Sequence, residues 1–265
     1  MSVQPMPCRL LIDPPADGAW NMAVDEVLLE DVTTVGVPVL RFYRWSRPTL
    51  SLGYFQNVAD RSAHAASAEA DLVRRLSGGG AILHDQELTY SLVLPASHEL
   101  ASDTQSLYDG IHEAILAEIA DIVGKWNSLW EPQLCDPATL PTVHQDSFLC
   151  FQRRCTGDIL LSQSGASGSI NHKVVGSAQR RRRGTVLQHG SILLRRSPAA
   201  PELSGIVEIT QSEVSAAQLV ERLPSKMAAA ARLEPKQVKL SDELADRSRQ
   251  RQQSKYLQSE WTQRR

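Results

Sequence analysis

Three consecutive glycines follow a pair of arginines in Arg74-Arg75-Leu76-Ser77-Gly78-Gly79-Gly80-Ala81, and His84-Asp85 closes the segment. Glycines let the main chain approach a ligand closely and turn its N–H groups toward an anion. Arg74 and Arg75 add fixed positive charge, and His84 is of the type that moves or orients a proton near neutral pH. The alternative is a glycine-rich hairpin with a hydrogen-bonded histidine. A second segment, Lys173-Val174-Val175-Gly176-Ser177-Ala178, puts a lysine at the head of an apolar strand that runs into a small-residue turn. It could aim an ammonium at a substrate oxygen and admit a carbonyl to backbone N–H groups, although a lone lysine is more often a surface residue. In Leu187-Gln188-His189-Gly190-Ser191, His189 is either functional or a structural hydrogen-bonder. The last group is the thiol Cys150, followed by Phe151, with Cys155 five residues on. A free thiol is either a nucleophile or small apolar packing. His144, Cys150 and Cys155 make a poor zinc set, because C-x4-C is the wrong spacing and no second tight pair exists; no metal is expected.

These residues need elements to hold them. Ala23, Val24, Val27 and Leu28 fall on one face of a helix that Asn21 would cap. Val37 to Trp45, Thr49 to Phe55, Leu72 to Leu76, Ala81 to His84 and Thr89 to Leu94 read as strands. Leu107, Ile111, Ile115 and Ile119 recur every fourth residue, a strong amphipathic helix ending near Gly124. Residues 127–147 and 162–172 read as loops. Asp158 to Leu161, Lys173 to Ser177 and Thr185 to Leu194 read as strands. Beyond Pro198 the pattern is helical, over Ser212 to Leu223, Lys226 to Leu233 and from Ser241. The fold class is α/β (α+β), a mixed sheet flanked by helices. It is expected as a single domain over 1–265, with a catalytic core of about 11–200 and a helical C-terminal extension of about 201–265.

With 265 residues, 42% of them hydrophobic and 22% charged, the chain is long enough for a full core and too ordinary in composition for a disordered or fibrous protein. It has no apolar run long enough to span a membrane. Four cysteines are too few for a disulfide scaffold, and no secretory signal opens the chain, so a reducing cytoplasm is expected. The net charge of -2 hides a basic block: residues 151–200 hold nine basic residues against one acid, Asp158. Such a block suggests an anionic partner or a solvated loop. Nucleic acid is disfavoured, since no nucleic-acid-binding signature accompanies the arginines. Glycine patterns for nicotinamide cofactors and P-loops are also missing.

Taken in order, the motifs resemble one family. They are Asn21-Met22-Ala23-Val24-Asp25-Glu26, Arg41-Phe42-Tyr43-Arg44-Trp45, Ser51-Leu52-Gly53-Tyr54-Phe55-Gln56, the arginine–glycine segment, Leu88-Thr89-Tyr90-Ser91, and the Lys173 and His189 segments. From about Leu11 to Leu194 the chain is similar to the lipoate–protein ligase and octanoyltransferase family, whose catalytic domain is related to biotin protein ligase. The resemblance implies a tunnel for a medium-length acyl chain flanked by the arginine–glycine turn and the lysine strand. It implies Arg74, Gly78, Gly79, Gly80, Ala81, His84, Gly176, Ser177 and Ala178 as substrate-binding residues, and Cys150 and Lys173 as catalytic ones.

The family divides by chemistry. Ligases activate lipoate with ATP and Mg; transferases take octanoyl from acyl carrier protein through a cysteine thioester and need no cofactor. Cys150-Phe151, Glu87-Leu88-Thr89-Tyr90-Ser91 and Val175-Gly176-Ser177-Ala178-Gln179 resemble the cysteine-dependent transferase branch, while Ser77-Gly78-Gly79-Gly80-Ala81 resembles ligases equally. Thioester exchange is nearly neutral in energy, and the lysine amide formed next makes the second step favourable. Lys173 would favour the thiolate and stabilise the oxyanion. The implied partners are acyl carrier protein and the lipoyl domains of dehydrogenase complexes or the glycine cleavage H protein. An ATP-dependent ligase, an amidotransferase between lipoylated proteins and a non-catalytic acyl-binding protein are the alternatives.

Overall fold

In a computed structural model, residues 4–126, 129–136, 147–165 and 168–265 are described. In chain order the elements are β1 (Met6–Ile12), α1 (Gly18–Val35), β2 (Val39–Tyr43), β3 (Thr49–Leu52), β4 (Asp71–Arg74), β5 (Ile82–His84), β6 (Glu87–Leu94), α2 (Glu99–Ser102), α3 (Thr104–Trp126) and β7 (Glu131–Leu134). Then follow β8 (Ile159–Gly165), β9 (Gly168–Arg182), β10 (Thr185–Leu193), α4 (Ile206–Thr210), α5 (Ala216–Ala230), β11 (Leu233–Gln237), α6 (Asp242–Arg251) and α7 (Ser259–Thr262). Eight strands form a mixed sheet in the order β11-β1-β2-β6-β10-β9-β8-β7, and β4-β3-β5 form a second. The mixed α/β class is as expected.

Alternating side chains sort the large sheet's two faces. Val39 and Val93 point to a cluster with Val24, Val27 and Leu28 of α1. Leu40 and Leu92 point the other way, to Leu107, Ile111, Ile115 and Ile119 of α3 and Leu219, Leu223 and Met227 of α5. Each such buried aliphatic contributes about 1.5–3 kcal/mol of transfer free energy. The sheet is thereby clamped between α1 and the α3/α5 pair, and the strands that carry His189 and Lys173 lie in its middle.

Several elements differ from expectation. The cap of α1 is Asp17, whose carboxylate accepts from the Trp20 N–H at 2.7 Å. Asn21 lies inside the helix, where its amide binds the carbonyls of Ala16 and Arg44. Strand β3 stops at Leu52, because the Gln56 side chain accepts from the Gly53 N–H and bends the chain. Gly124 is inside α3 and not its cap. Residues 162–172 supply much of a hairpin between β8 and β9: main-chain pairing overrides their polar composition, helped by Gln133 and Asn171 on the Ser162 hydroxyl. Of the expected 127–147 loop, residues 131–134 form β7, while 127, 128 and 137–146 lie outside the described residues. Pro224 does not break α5. Strands β1 and β11 also went unseen, and β11 gives residues 201–265 a strand beside their helices. It carries Pro235 and sits at the sheet edge, where a missing N–H is tolerated.

Candidate active site

The glycine turn carries Cys150 directly. Ala81 donates its N–H to the Phe148 carbonyl at 3.0 Å, and the Cys150 N–H returns to the Ala81 carbonyl at 2.7 Å. These bonds make a short bridge of Ala81 with Leu149, immediately before a one-turn 3-10 helix at Cys150–Gln152. Gly79 has φ +88°, the left-handed region, so the turn requires glycine there. Arg75 is fully buried beneath the turn and donates to the carbonyls of Ser51, Gly78 and Gly80. The expectation for Arg74 is corrected. Its guanidinium points away and holds the carbonyls of Gly53, Gln56 and Thr262, fastening the C-terminal helix α7 instead of facing the thiol.

Lys173 reaches the other side of Cys150. Its ammonium is 3.8 Å from Cys150 Sγ, 3.4 Å from the Cys150 carbonyl and 2.8 Å from Asp158 Oδ2. Lys173 and Asp158 are both buried. Burial alone would pull the lysine pKa down, but the charges of Cys150 and Asp158 outweigh it and hold the group above its ordinary value. The lysine is therefore a fixed cation and not a base. A β-bulge opposite Ile159/Leu160, where Lys173 pairs with Leu160 and Val175 with Ile159, aims it. A Cβ at Gly176 would lie 2.5 Å from Lys173 Cε, so only glycine lets the side chain cross there. Gly176, Ser177 and Ala178 form no turn; they lie within the long strand β9. The Ser177 hydroxyl bonds to Tyr90 and His112, each at 2.6 Å, and so holds the strand in place.

His84 lies in a second location, a narrow chamber walled by both sheets and α1: Met22, Tyr43, Arg75, Ile82, His189 and Ser191 are among its lining residues. His84 stacks on Trp45 at 3.9 Å and binds Glu87 at 2.6 Å and Ser51 at 2.8 Å. Burial lowers its pKa against the opposing charge of Glu87, favouring a neutral ring. His189 binds Ser77 of the glycine turn at 2.5 Å and the buried Asp25 at 3.4 Å. Burial would raise the Asp25 pKa, but the His189 hydrogen bond and the Arg41 charge keep it below the usual carboxylate range.

The structure thus gathers Cys150, Lys173, Gly80, Ala81 and Gly176 into one cluster and places His84 in the adjoining chamber. An open cleft of about 390 Å³ beside Lys173 is lined by Phe151, Gln152, Arg154, His172 and Leu203, giving solvent access to this side. Sequence reasoning missed Asp158 as a partner of Lys173; its isolation in a basic, apolar stretch was the available signal. It also missed Tyr108 and His112 on α3, which show no motif. Among the described residues no cluster of three or more His, Cys, Asp or Glu could hold a metal; His144 lies outside them. Among the described residues no helix is long and apolar enough to cross a membrane.

Comparison with known proteins gives a consistent result. The profile of the lipoyl protein ligase A/B catalytic domain matches residues 17–245. Octanoyltransferase LipM of Oceanobacillus iheyensis is 39% identical over 184 residues, 68% of this chain and 61% of that protein. Octanoyltransferase LipM of Bacillus subtilis is 36% identical over 68% of this chain and 62% of its own length. The matched part thus spans about three fifths of these relatives. Among solved structures, a bi-partite lipoate protein ligase from Thermoplasma acidophilum superposes with a TM-score of 0.71 at 18% identity, covering 97% of this chain and 96% of that one. Lipoate-protein ligase A bound with ATP also gives 0.71, at 20% identity, covering 97% and 99%. At these identities the likeness is one of fold.

Proposed function

The chain belongs to the lipoyl protein ligase A/B catalytic domain family, and on that premise we propose that it is a cytoplasmic octanoyltransferase of lipoate assembly. It takes octanoyl from acyl carrier protein, holds it as a thioester on Cys150, and passes it to a lysine of a lipoyl domain or the glycine cleavage H protein. The observation that carries this reading is the 3.8 Å approach of the Lys173 ammonium to Cys150 Sγ on the frame of the glycine turn. The names of the two LipM relatives support the same activity.

The chemistry follows from that geometry. The Cys150 thiolate attacks the donor thioester carbonyl; a C–S bond forms, the donor C–S bond breaks, and the carrier thiolate leaves and takes a proton. The negative charge on the carbonyl oxygen develops beside the Lys173 ammonium, a positive charge already fixed in place to stabilise it. The acceptor lysine, as free amine, then attacks the Cys150 thioester. A C–N bond forms, the C–S bond breaks, and the proton lost by the amine ends on the Cys150 sulfur. Neither step consumes ATP.

The test is incubation with octanoyl-acyl carrier protein and a lipoyl domain, with and without ATP, followed by intact mass. The expected result is a gain of about 126 Da on the protein, then on the lipoyl domain, without ATP. Attachment of free lipoate that depends on ATP, with no acyl-enzyme, would overturn the proposal in favour of a ligase. Acyl binding without transfer from any donor would make it a binding protein.

A further inference from the structure

We propose that Asp158 is the positioning residue of the transfer: it fixes Lys173 against Cys150 and acts on the thiol only through that lysine. This rests on the acyl-enzyme reading above. The Asp158 carboxylate is itself held on every side. Oδ2 accepts the Lys173 ammonium at 2.8 Å and the Cys155 N–H at 2.7 Å, and Oδ1 accepts the Tyr108 hydroxyl at 3.1 Å. Its main chain is fixed as well, N–H to the Cys155 carbonyl at 3.1 Å and carbonyl to the Cys135 N–H at 2.7 Å.

A directional hydrogen-bond chain sets the ground beneath the pair. The Gln179 amide donates to Gln188, Gln188 donates to the Tyr90 hydroxyl, Tyr90 donates to Ser177, and Ser177 donates to His112 Nε2. His112 Nδ1 then donates to the Gly157 carbonyl at 2.6 Å, next to Asp158. Each polar group in this chain has one consistent role, so the orientation is singly defined. The chain ties the strand under Lys173 to the residue preceding Asp158 through helix α3.

The need for Asp158 is greatest midway through the reaction. While Cys150 is a thiolate, the ammonium has two anionic neighbours. Once the sulfur is acylated its charge is gone, and Asp158 is the ammonium's carboxylate partner among the described residues. Burial then acts against the cation, with the Asp158 carboxylate at 2.8 Å its nearest charged partner and the Cys150 carbonyl at 3.4 Å its remaining contact on the thiol side. The cation is still required at this stage, because the tetrahedral oxyanion forms a second time and the thiolate must leave. The other titratable groups facing the pair are Cys135, Cys155, Arg154, His112 and Tyr108.

The experiment compares wild type, Asp158→Asn, Lys173→Met and the double variant. The double variant removes both charges of a buried pair, a change that proteins tolerate better than the loss of one. Two readouts are taken. In single-turnover transfer from isolated acyl-enzyme to a lipoyl domain, Asp158→Asn is expected to move the alkaline limb of the rate profile down by about a pH unit or more, with the acceptor's apparent KM unchanged. In alkylation of Cys150 by iodoacetamide, Asp158→Asn is expected to change the rate at least fivefold in the parent and not in the Lys173→Met background. An unmoved alkaline limb, or equal effects of Asp158→Asn with and without Lys173, would overturn the proposal. If wild type accepts no octanoyl, the acyl-enzyme reading fails; the alkylation comparison then decides on its own whether Asp158 works through Lys173. If Asp158→Asn fails to fold, the folded Lys173→Met protein and double variant still decide: a difference between them in Cys150 alkylation overturns the proposal.

Discussion

The main-chain N–H of Cys150 donates to the carbonyl of Ala81 at 2.7 Å, which makes the thiol an extension of the glycine turn. A change in the turn is therefore felt at sulfur. Gly79 has the left-handed φ of +88°, and a Cβ there would lie 3.2 Å from the Arg75 guanidinium. Gly79→Val is expected to cost about 1–3 kcal/mol of stability from backbone strain and to abolish octanoyl binding in protein that remains folded. Thermal melts and acyl-binding titrations measure the two effects; normal acyl affinity in folded Gly79→Val protein would remove the turn from the site.

Cys150→Ser is expected to lose turnover and the octanoyl mass shift. Cys155→Ser is expected to keep both, because Cys155 is exposed and Lys173 contacts Cys150. Intact mass after incubation with donor distinguishes the two. The reverse pattern would assign the nucleophile to Cys155.

Lys173→Arg keeps the charge but replaces a compact ammonium with a wide planar group, in a site where Gly176 already leaves the narrowest passage. The expected fall in transfer rate is on the order of 10²–10³, the scale for one preorganised electrostatic donor. Lys173→Ala is expected to fall at least as far. Wild-type kinetics in Lys173→Ala would exclude the lysine from the chemistry.

His112 predicts a pH dependence of stability. Burial is the main cause that lowers its pKa, from 6.5 to about 4. A folded-state pKa below the unfolded value means that the neutral ring's contribution is complete above pH 6.5 and is lost as pH falls toward 4. The full loss is about 3 kcal/mol at 1.36 kcal/mol per pH unit. His84, His98 and His172 shift in the same direction. His112→Asn can still offer an amide N–H to the Gly157 carbonyl but cannot titrate. Denaturant melts from pH 7 to 4.5 should show a shallower loss in this variant; parallel curves would count against the buried neutral ring.

The run Arg180-Arg181-Arg182-Arg183 is not one uniform collar. It crosses a hairpin end where Arg183 and Gly184 have φ of 50° and 83°, so alternate side chains face opposite ways. Arg180 stacks over Tyr54, Arg181 binds the carbonyls of Ala101 and Ser102, and Arg182 pairs with Glu30. Changing all four to Gln is expected to raise the apparent KM for an acidic protein substrate and flatten its salt dependence, with kcat nearly intact. KM and salt slope equal to wild type would leave the run without a docking role.

Periodicity in the sequence alone determined the fold class, the α3 stripe and most of the strands, while the family resemblance carried by the motifs implied that Cys150, Lys173 and the glycine turn share one site. These depend on local side-chain pattern or on motifs contiguous in the chain. It could not distinguish Arg74 from Arg75, because neighbouring strand residues point to opposite faces and only the packed sheets show which faces the turn. It could not show that Gly176-Ser177-Ala178 lie in a strand, since that follows from their pairing with Ser191, Gly190 and His189 of β10. Strand β11 was hidden because an edge strand with proline has little signal of its own until β1 lies beside it. Asp158 and Lys173 are fifteen residues apart in sequence, one just before β8 and the other in β9 of the same hairpin. Only the register of that hairpin, with its bulge, brings a carboxylate and an ammonium to 2.8 Å, and burial by α3 then makes that short distance matter to a thiol.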